Sequence, residues 1–173
     1  MNPKVSIIMG STSDLKIMEA AAEFLDQMEI PYEINALSAH RVPEQVMDFA
    51  KNARSRGVKV IIAGAGGAAH LPGVIAALTP LPVIGFPKQC VCCHSLILFF
   101  QLQISILQMP SGIPVATMAL DGAKNGAILA VEILAAGDDA LMEKMVKFKA
   151  ELAQKIDKAN RELAQIKRPF KTN

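Results

Sequence analysis

Two hydrophobic periods alternate along this 173-residue chain. Short runs rich in β-branched residues predict strands at Val5–Met9, Tyr32–Leu37, Val58–Ala63, Val83–Phe86 and Val115–Met118. Helical spacing fills the gaps between them. Leu15, Met18, Ala22 and Leu25 predict a helix that ends near Met28, before the break at Pro31. Pro43 suits a first helical turn and opens a helix to about Arg56, with Gly57 as its stop. A short helix is expected over Pro72–Leu78 and another over Lys124–Ala136, the latter capped by Gly137. Strands separated by helices imply parallel βαβ units with the sheet covered on both faces. The expected fold is therefore a flavodoxin-like three-layer α/β/α sandwich with a parallel sheet of about five strands.

The last segment reads differently. From Asp138 to about Lys167 a long helix is predicted, with Leu141, Met145, Phe148, Leu152, Ile156, Leu163 and Ile166 on one stripe. Most of its lysines and glutamates lie opposite. The stripe predicts an arm that packs on another subunit. The alternative is a helix folded back on its own domain.

Composition narrows the function classes. Hydrophobic residues make up 51% and charged residues 20%, and the net charge is +2. That balance, with no Trp and one Tyr, argues against a nucleic-acid surface. No apolar run is long enough for a membrane span, and Met1-Asn2-Pro3-Lys4 leads straight into the first strand without a signal peptide. Cys90, Cys92 and Cys93 are odd in number and clustered. They form no disulfide framework, which favours a reducing cytoplasm.

Three strand-to-helix loops carry the candidate chemistry. In open parallel sheets such loops converge beyond the carboxyl ends of the strands. Gly10-Ser11-Thr12-Ser13-Asp14 meets a helix N-terminus, where backbone N–H groups and hydroxyls favour an anion and an acid suits a ribose hydroxyl. The simpler reading is capping by Ser13 or Asp14. Ser38-Ala39-His40-Arg41 sets a proton-transfer group beside a guanidinium fork. The simpler reading is a surface pair without a role. Residues 64–73 hold four glycines, three alanines and one titratable side chain, His70. Such a backbone is expected to approach a small molecule closely.

Two rival motifs are weaker. Gly64-x-Gly66-x-x-Ala69 fits a dinucleotide fingerprint, but the stretch Gly85-Phe86-Pro87-Lys88-Gln89 lacks the acid that the ribose needs. Cys90-x-Cys92-Cys93-His94 has adjacent cysteines and no second ligand cluster, so no metal site is expected.

Taken in order, the three loops resemble the class I N5-carboxyaminoimidazole ribonucleotide mutases of purine biosynthesis. Gln108-Met109-Pro110-x-Gly112-Ile113-Pro114-Val115-Ala116-Thr117 resembles that family too, and the likeness covers nearly the whole chain. Arg41 matches the mutase class; the animal-type carboxylase, which uses free carbon dioxide, has a lysine at the matching place. The resemblance implies an isomerase that needs no metal or organic cofactor. It moves a carboxylate from the exocyclic nitrogen of its ribonucleotide substrate to ring carbon C4. It implies His40 as the proton-transfer residue, with His70 in the same pocket. Ser11, Asp14, Ser38 and Arg41 would bind the substrate, and Ala65 and Gly66 would border its carboxylate. Residues 1–137 would form the nucleotide-binding catalytic domain and 138–173 the arm of a homo-octamer. The alternatives are direct carboxylation by free carbon dioxide and a nucleotide-binding module without catalysis. One stretch departs from the family. Lys88–Gln103 is apolar where the family is polar and rich in Ser, and it runs about four residues longer. An altered reading frame restored downstream and a genuine insertion both give this pattern.

Overall fold

The computed structural model describes residues 1–66, 69–88 and 104–172. Five strands form one sheet: β1 (Val5–Met9), β2 (Tyr32–Ala36), β3 (Val60–Gly66), β4 (Val83–Lys88) and β5 (Ala116–Thr117). All neighbours are parallel, in the order β2-β1-β3-β4-β5. This is the flavodoxin-like order, with the switch point beside β1 and β3. The central strands are buried on both faces: every residue of β1 is inside, whereas the edge strand β2 leaves Ile34 exposed.

Two apolar layers cover the sheet. On one side lie α1 (Leu15–Gln27) and an alanine-rich helix, α4 (Ala123–Ala135). On the other lie α2 (Pro43–Asn52) and α3 (His70–Leu78). Gly85 in β4 shows how tightly the second layer sits. A Cβ there would lie 2.7 Å from Ile106 Cδ1, 2.9 Å from Pro72 Cβ and 2.9 Å from Val115 Cγ1. Residues 104–107 are helical, and Ile106, 1% exposed, anchors them to that spot.

Element boundaries differ from the sequence expectations in instructive ways. β3 begins two residues later than expected and runs three residues further, through Gly64, Ala65 and Gly66. Their weak strand propensity is overridden by pairing on both sides, with β1 up to Gly64 and with β4 up to Gly66. β4 likewise runs on through Pro87 and Lys88. α2 stops at Asn52 rather than Arg56, and the chain loosens into turns that end at Gly57, whose φ is +99°. α3 starts at His70, two residues before Pro72. A proline at the third helical position is tolerated because the N–H there has no intrahelical acceptor.

The long helix, α5 (Asp139–Ala164), is capped by the Asp138 carboxylate, which accepts from Leu141 N at 3.0 Å. Its stripe divides. Leu141, Met145 and Phe148 belong to the core of this same chain, and the Phe148 ring meets Phe24 edge-on at 5.0 Å. Leu152, Ile156, Leu163 and Ile166 are 41–63% exposed. The first half therefore folds back on its own domain, and the second half projects with its apolar positions exposed among the described residues.

Candidate functional site

The carboxyl ends of β1, β2, β3 and β4 point the same way, and the candidate side chains gather there. β1 ends at Met9, and the chain enters a 3₁₀ turn (Thr12–Asp14) leading into α1. Ser11 caps that turn, its Oγ accepting from Ser13 N at 3.3 Å. Asp14 occupies the N-cap position of α1, as the capping reading expects, but makes no side-chain cap hydrogen bond there. Asp14 is 7% exposed and its carboxylate turns inward. Ser13 Oγ donates to Asp14 Oδ1 at 2.9 Å, and Lys88 Nζ donates to the same oxygen at 2.5 Å.

The exit loop of β2 is tied to the sheet by Leu37 N, which donates to Met9 O at 2.8 Å. The loop closes on itself where Val42 N donates to Ser38 O at 3.0 Å. This brings Arg41 to the exit of β1, where its Nη2 donates to Gly10 O at 2.5 Å. It also brings His40 to α3. His40 Nε2 and His70 Nδ1 are 2.9 Å apart, with the rings edge-on at 78°. One ring donates across that distance and the other accepts, the roles depending on the tautomer. Both histidines are exposed. His40 and His70 thus meet although 30 residues separate them, and His40 and Arg41 each hydrogen-bond another segment of the chain.

The glycine-rich stretch is a strand end before it is a loop. Gly64 is closed in by this chain's own side chains, since a Cβ would lie 2.8 Å from Met18 Sδ and 2.9 Å from Phe86 Cζ. The strand conformation of Gly64 and Gly66 also removes the dinucleotide reading, which needs those glycines in a turn. Ala65 is buried opposite Pro87, and Gly66 is exposed opposite Lys88. Gly67 and Ala68 lie outside the described residues, as does the cysteine cluster with the whole stretch from 89 to 103. Among the described residues no three His, Cys, Asp or Glu side chains gather as a metal site would require. No helix among them is long and apolar enough to cross a membrane.

Sequence reasoning missed Lys88. It read the end of β4 for a missing acid and as the start of the atypical stretch, yet Lys88 is a cation that meets Asp14. The signal was available in the topology: β4 adjoins β3, so its last residue must share the rim with Gly66. A groove of about 370 Å³ lined by Glu33, Asn35, Asp48, Phe49 and Arg56 flanks β2. It contains none of the three loops' residues.

Residues 4–155 match the family model described as AIR carboxylase. The chain belongs to the AIR carboxylase family. Among curated relatives, N5-carboxyaminoimidazole ribonucleotide mutase of Pyrococcus horikoshii is 49% identical over 164 residues, covering 95% of this chain and 90% of that one. The protein of the same name from Thermotoga maritima is 48% identical over 164 residues, covering 95% of this chain and 94% of its own. Of solved structures, Treponema denticola PurE superposes with a TM-score of 0.80 at 29% identity, covering 93% of this chain and 98% of that chain. The AIR carboxylase family match begins just before β1 and ends within α5, so all three candidate loops lie inside it.

Proposed function

We propose that the chain is an isomerase of purine biosynthesis that converts N5-carboxyaminoimidazole ribonucleotide to 4-carboxy-5-aminoimidazole ribonucleotide. The observation that carries this reading is the His40–His70 contact at 2.9 Å beside the Arg41 bridge to Gly10. Two curated relatives at 48% and 49% identity carry the mutase name. In this reading Ser11, Ser38 and Arg41 hold the substrate's phosphoribosyl group. Asp14 accepts from its hydroxyls. Ala65 and Gly66 border the migrating carboxylate.

The chemistry then follows from one shuttled proton. The bond between the exocyclic nitrogen and the carboxyl carbon breaks, releasing carbon dioxide, and the nitrogen takes a proton from His40. The enamine carbon C4 attacks the retained carbon dioxide and forms the new carbon–carbon bond. C4 then loses its hydrogen as a proton to His40, so the imidazole ends as it began. Histidine suits both transfers because its ordinary pKa of about 6.5 lies near working pH. His70 fixes the ring and tautomer of His40 across their hydrogen bond. The strand end at Ala65 and Gly66 offers backbone and small side chains to the migrating carboxylate, bordered by the Lys88 stem beside Gly66.

The same proposal places the protein in the cytoplasm as a homo-octamer, with 1–137 as the catalytic domain. Support for assembly is the exposed half of the α5 stripe, which one chain leaves uncovered. A single-turnover assay with the carboxylated nucleotide tests the activity. The expected outcome is the C4 product at a rate that added bicarbonate does not change. No product, or a rate that requires bicarbonate, overturns the mutase reading.

A further inference from the structure

The side chain of Lys88 crosses three strand ends. It starts on β4, and its stem lies over Gly66 of β3: a Cβ on Gly66 would meet Lys88 Cδ at 3.5 Å and Cβ at 3.6 Å. It ends at the exit of β1, where Nζ donates to Asp14 Oδ1 at 2.5 Å and to Ser13 O at 3.2 Å. Neighbouring strands are about 4.8 Å apart, so only a long side chain can span from β4 to the far side of β3. The pair is largely enclosed, with the Lys88 and Asp14 side chains 20% and 10% exposed. Both bonds to Asp14 described above land on Oδ1, one from Lys88 and one from Ser13. Among the described contacts Oδ2 is the oxygen left to accept from a ligand.

We propose that Lys88 is a positioning residue for the ribonucleotide, which fixes the Asp14 carboxylate so that Oδ2 faces the ligand's ribose hydroxyls. This rests on the assignment of Asp14 to the substrate under the mutase reading. Three features support it. Ser13 and Lys88 together hold Oδ1, which removes the carboxylate's rotational freedom before the ligand arrives, and preorganisation of this kind is what raises affinity. The Lys88 charge offsets that of Asp14, so a phosphorylated ligand meets a neutral pair rather than an acid. The stem of Lys88 covers Gly66, which has no side chain of its own to close that wall. A Cβ at position 66 would be in ordinary van der Waals contact with that stem, so the crossing tolerates a small side chain there.

Lys88 acts through Asp14, so its loss is expected in binding rather than in proton transfer. The test is steady-state kinetics of Lys88→Met and Lys88→Arg in the full chain, with calorimetric binding of aminoimidazole ribonucleotide to each. Lys88→Met is expected to raise KM and the dissociation constant about tenfold, with kcat lowered by no more than about threefold. Lys88→Arg keeps the charge and the donors, and is expected to stay within about threefold of the parent in both. Thermal unfolding of each variant separates loss of fold from loss of binding. Unchanged binding by Lys88→Met overturns the proposal, and so does equal impairment of Lys88→Met and Lys88→Arg. If Lys88→Met does not fold, the proposal stands or falls on Lys88→Arg, whose failure to bind overturns it and whose retained binding supports it. A parent chain that binds the ribonucleotide but never turns over the carboxylated form overturns the mutase reading while leaving the role of Lys88 to the binding comparison. A parent that binds no ribonucleotide overturns both.

Discussion

Single residues decide the chemistry, and they divide by what each holds. Under the proposed reaction His40 transfers the proton, and such groups are worth about 10²–10⁴ in rate. His40→Asn is therefore expected to remove turnover and to leave nucleotide binding within a few-fold. More than a tenth of the parent rate would take His40 out of the mechanism. Arg41 is already committed in part, since its Nη2 holds Gly10 O. Among the described residues this is its one hydrogen bond, and under the proposed function its remaining donors meet the phosphate. Arg41→Ala is expected to raise KM more than it lowers kcat, because it removes both the ligand contact and the tie on the β1 exit. An unchanged KM with a collapsed kcat would contradict that division. At this scale the sequence was readable where the chemistry is local, as in His40-Arg41. It was silent on the Lys88–Asp14 pair, whose members stand 74 positions apart and meet only because β1, β3 and β4 are adjacent.

At the scale of elements, hydrophobic period was enough to find the five strands of the described residues, and their misses are at the ends; the short helical stretch 104–107 was not expected. Gly64, Ala65 and Gly66 were expected in a loop because glycine and alanine carry little strand preference. In the folded sheet their neighbours supply the hydrogen-bond ladder, and small side chains are what the packing requires. Gly85 makes the same point in β4, and it gives a stability prediction. Gly85→Ala would place a methyl 2.9 Å from the ring carbon Pro72 Cβ and 2.7 Å from Ile106 Cδ1. Pro72 cannot turn away, so α3 must shift. A cost of about 1–3 kcal/mol is expected in denaturant unfolding. No loss would mean that α3 and residues 104–107 ride loosely on the sheet. Where α5 leaves α4, Lys144 pairs with Glu29 and also donates to Met28 O at 3.3 Å. The hydrogen bond from Lys144, and then its charge, hold the Glu29 carboxyl below its ordinary pKa. A lowered acid pKa stabilises the fold above the unfolded value near 4.3. That contribution is lost as pH falls through the folded value. Glu29 is exposed, so the pair adds little to stability.

The whole molecule turns on what α5 does beyond Phe148. Read as a pattern, its stripe is continuous from Leu141 to Ile166, and periodicity alone cannot show where one chain's core ends. The fold shows it: Leu141, Met145 and Phe148 are buried against α1 and α4, and from Leu152 onward the apolar positions stand in the open. Two truncations should then behave differently. Ending the chain after Gly137 removes three core side chains, each worth about 1.5–3 kcal/mol when buried. That sum approaches the whole stability of a small domain, so this shortened chain is expected to unfold or aggregate. Ending it after Glu151 keeps those three and removes only the exposed half of the stripe. Such a chain is expected to keep its thermal transition and, under the proposed assembly through α5, to sediment as a species smaller than the parent. Sedimentation velocity on the two chains and the parent checks both statements. If the chain ending after Glu151 still runs as an octamer, assembly rests on another face and the projecting half of α5 is not the arm.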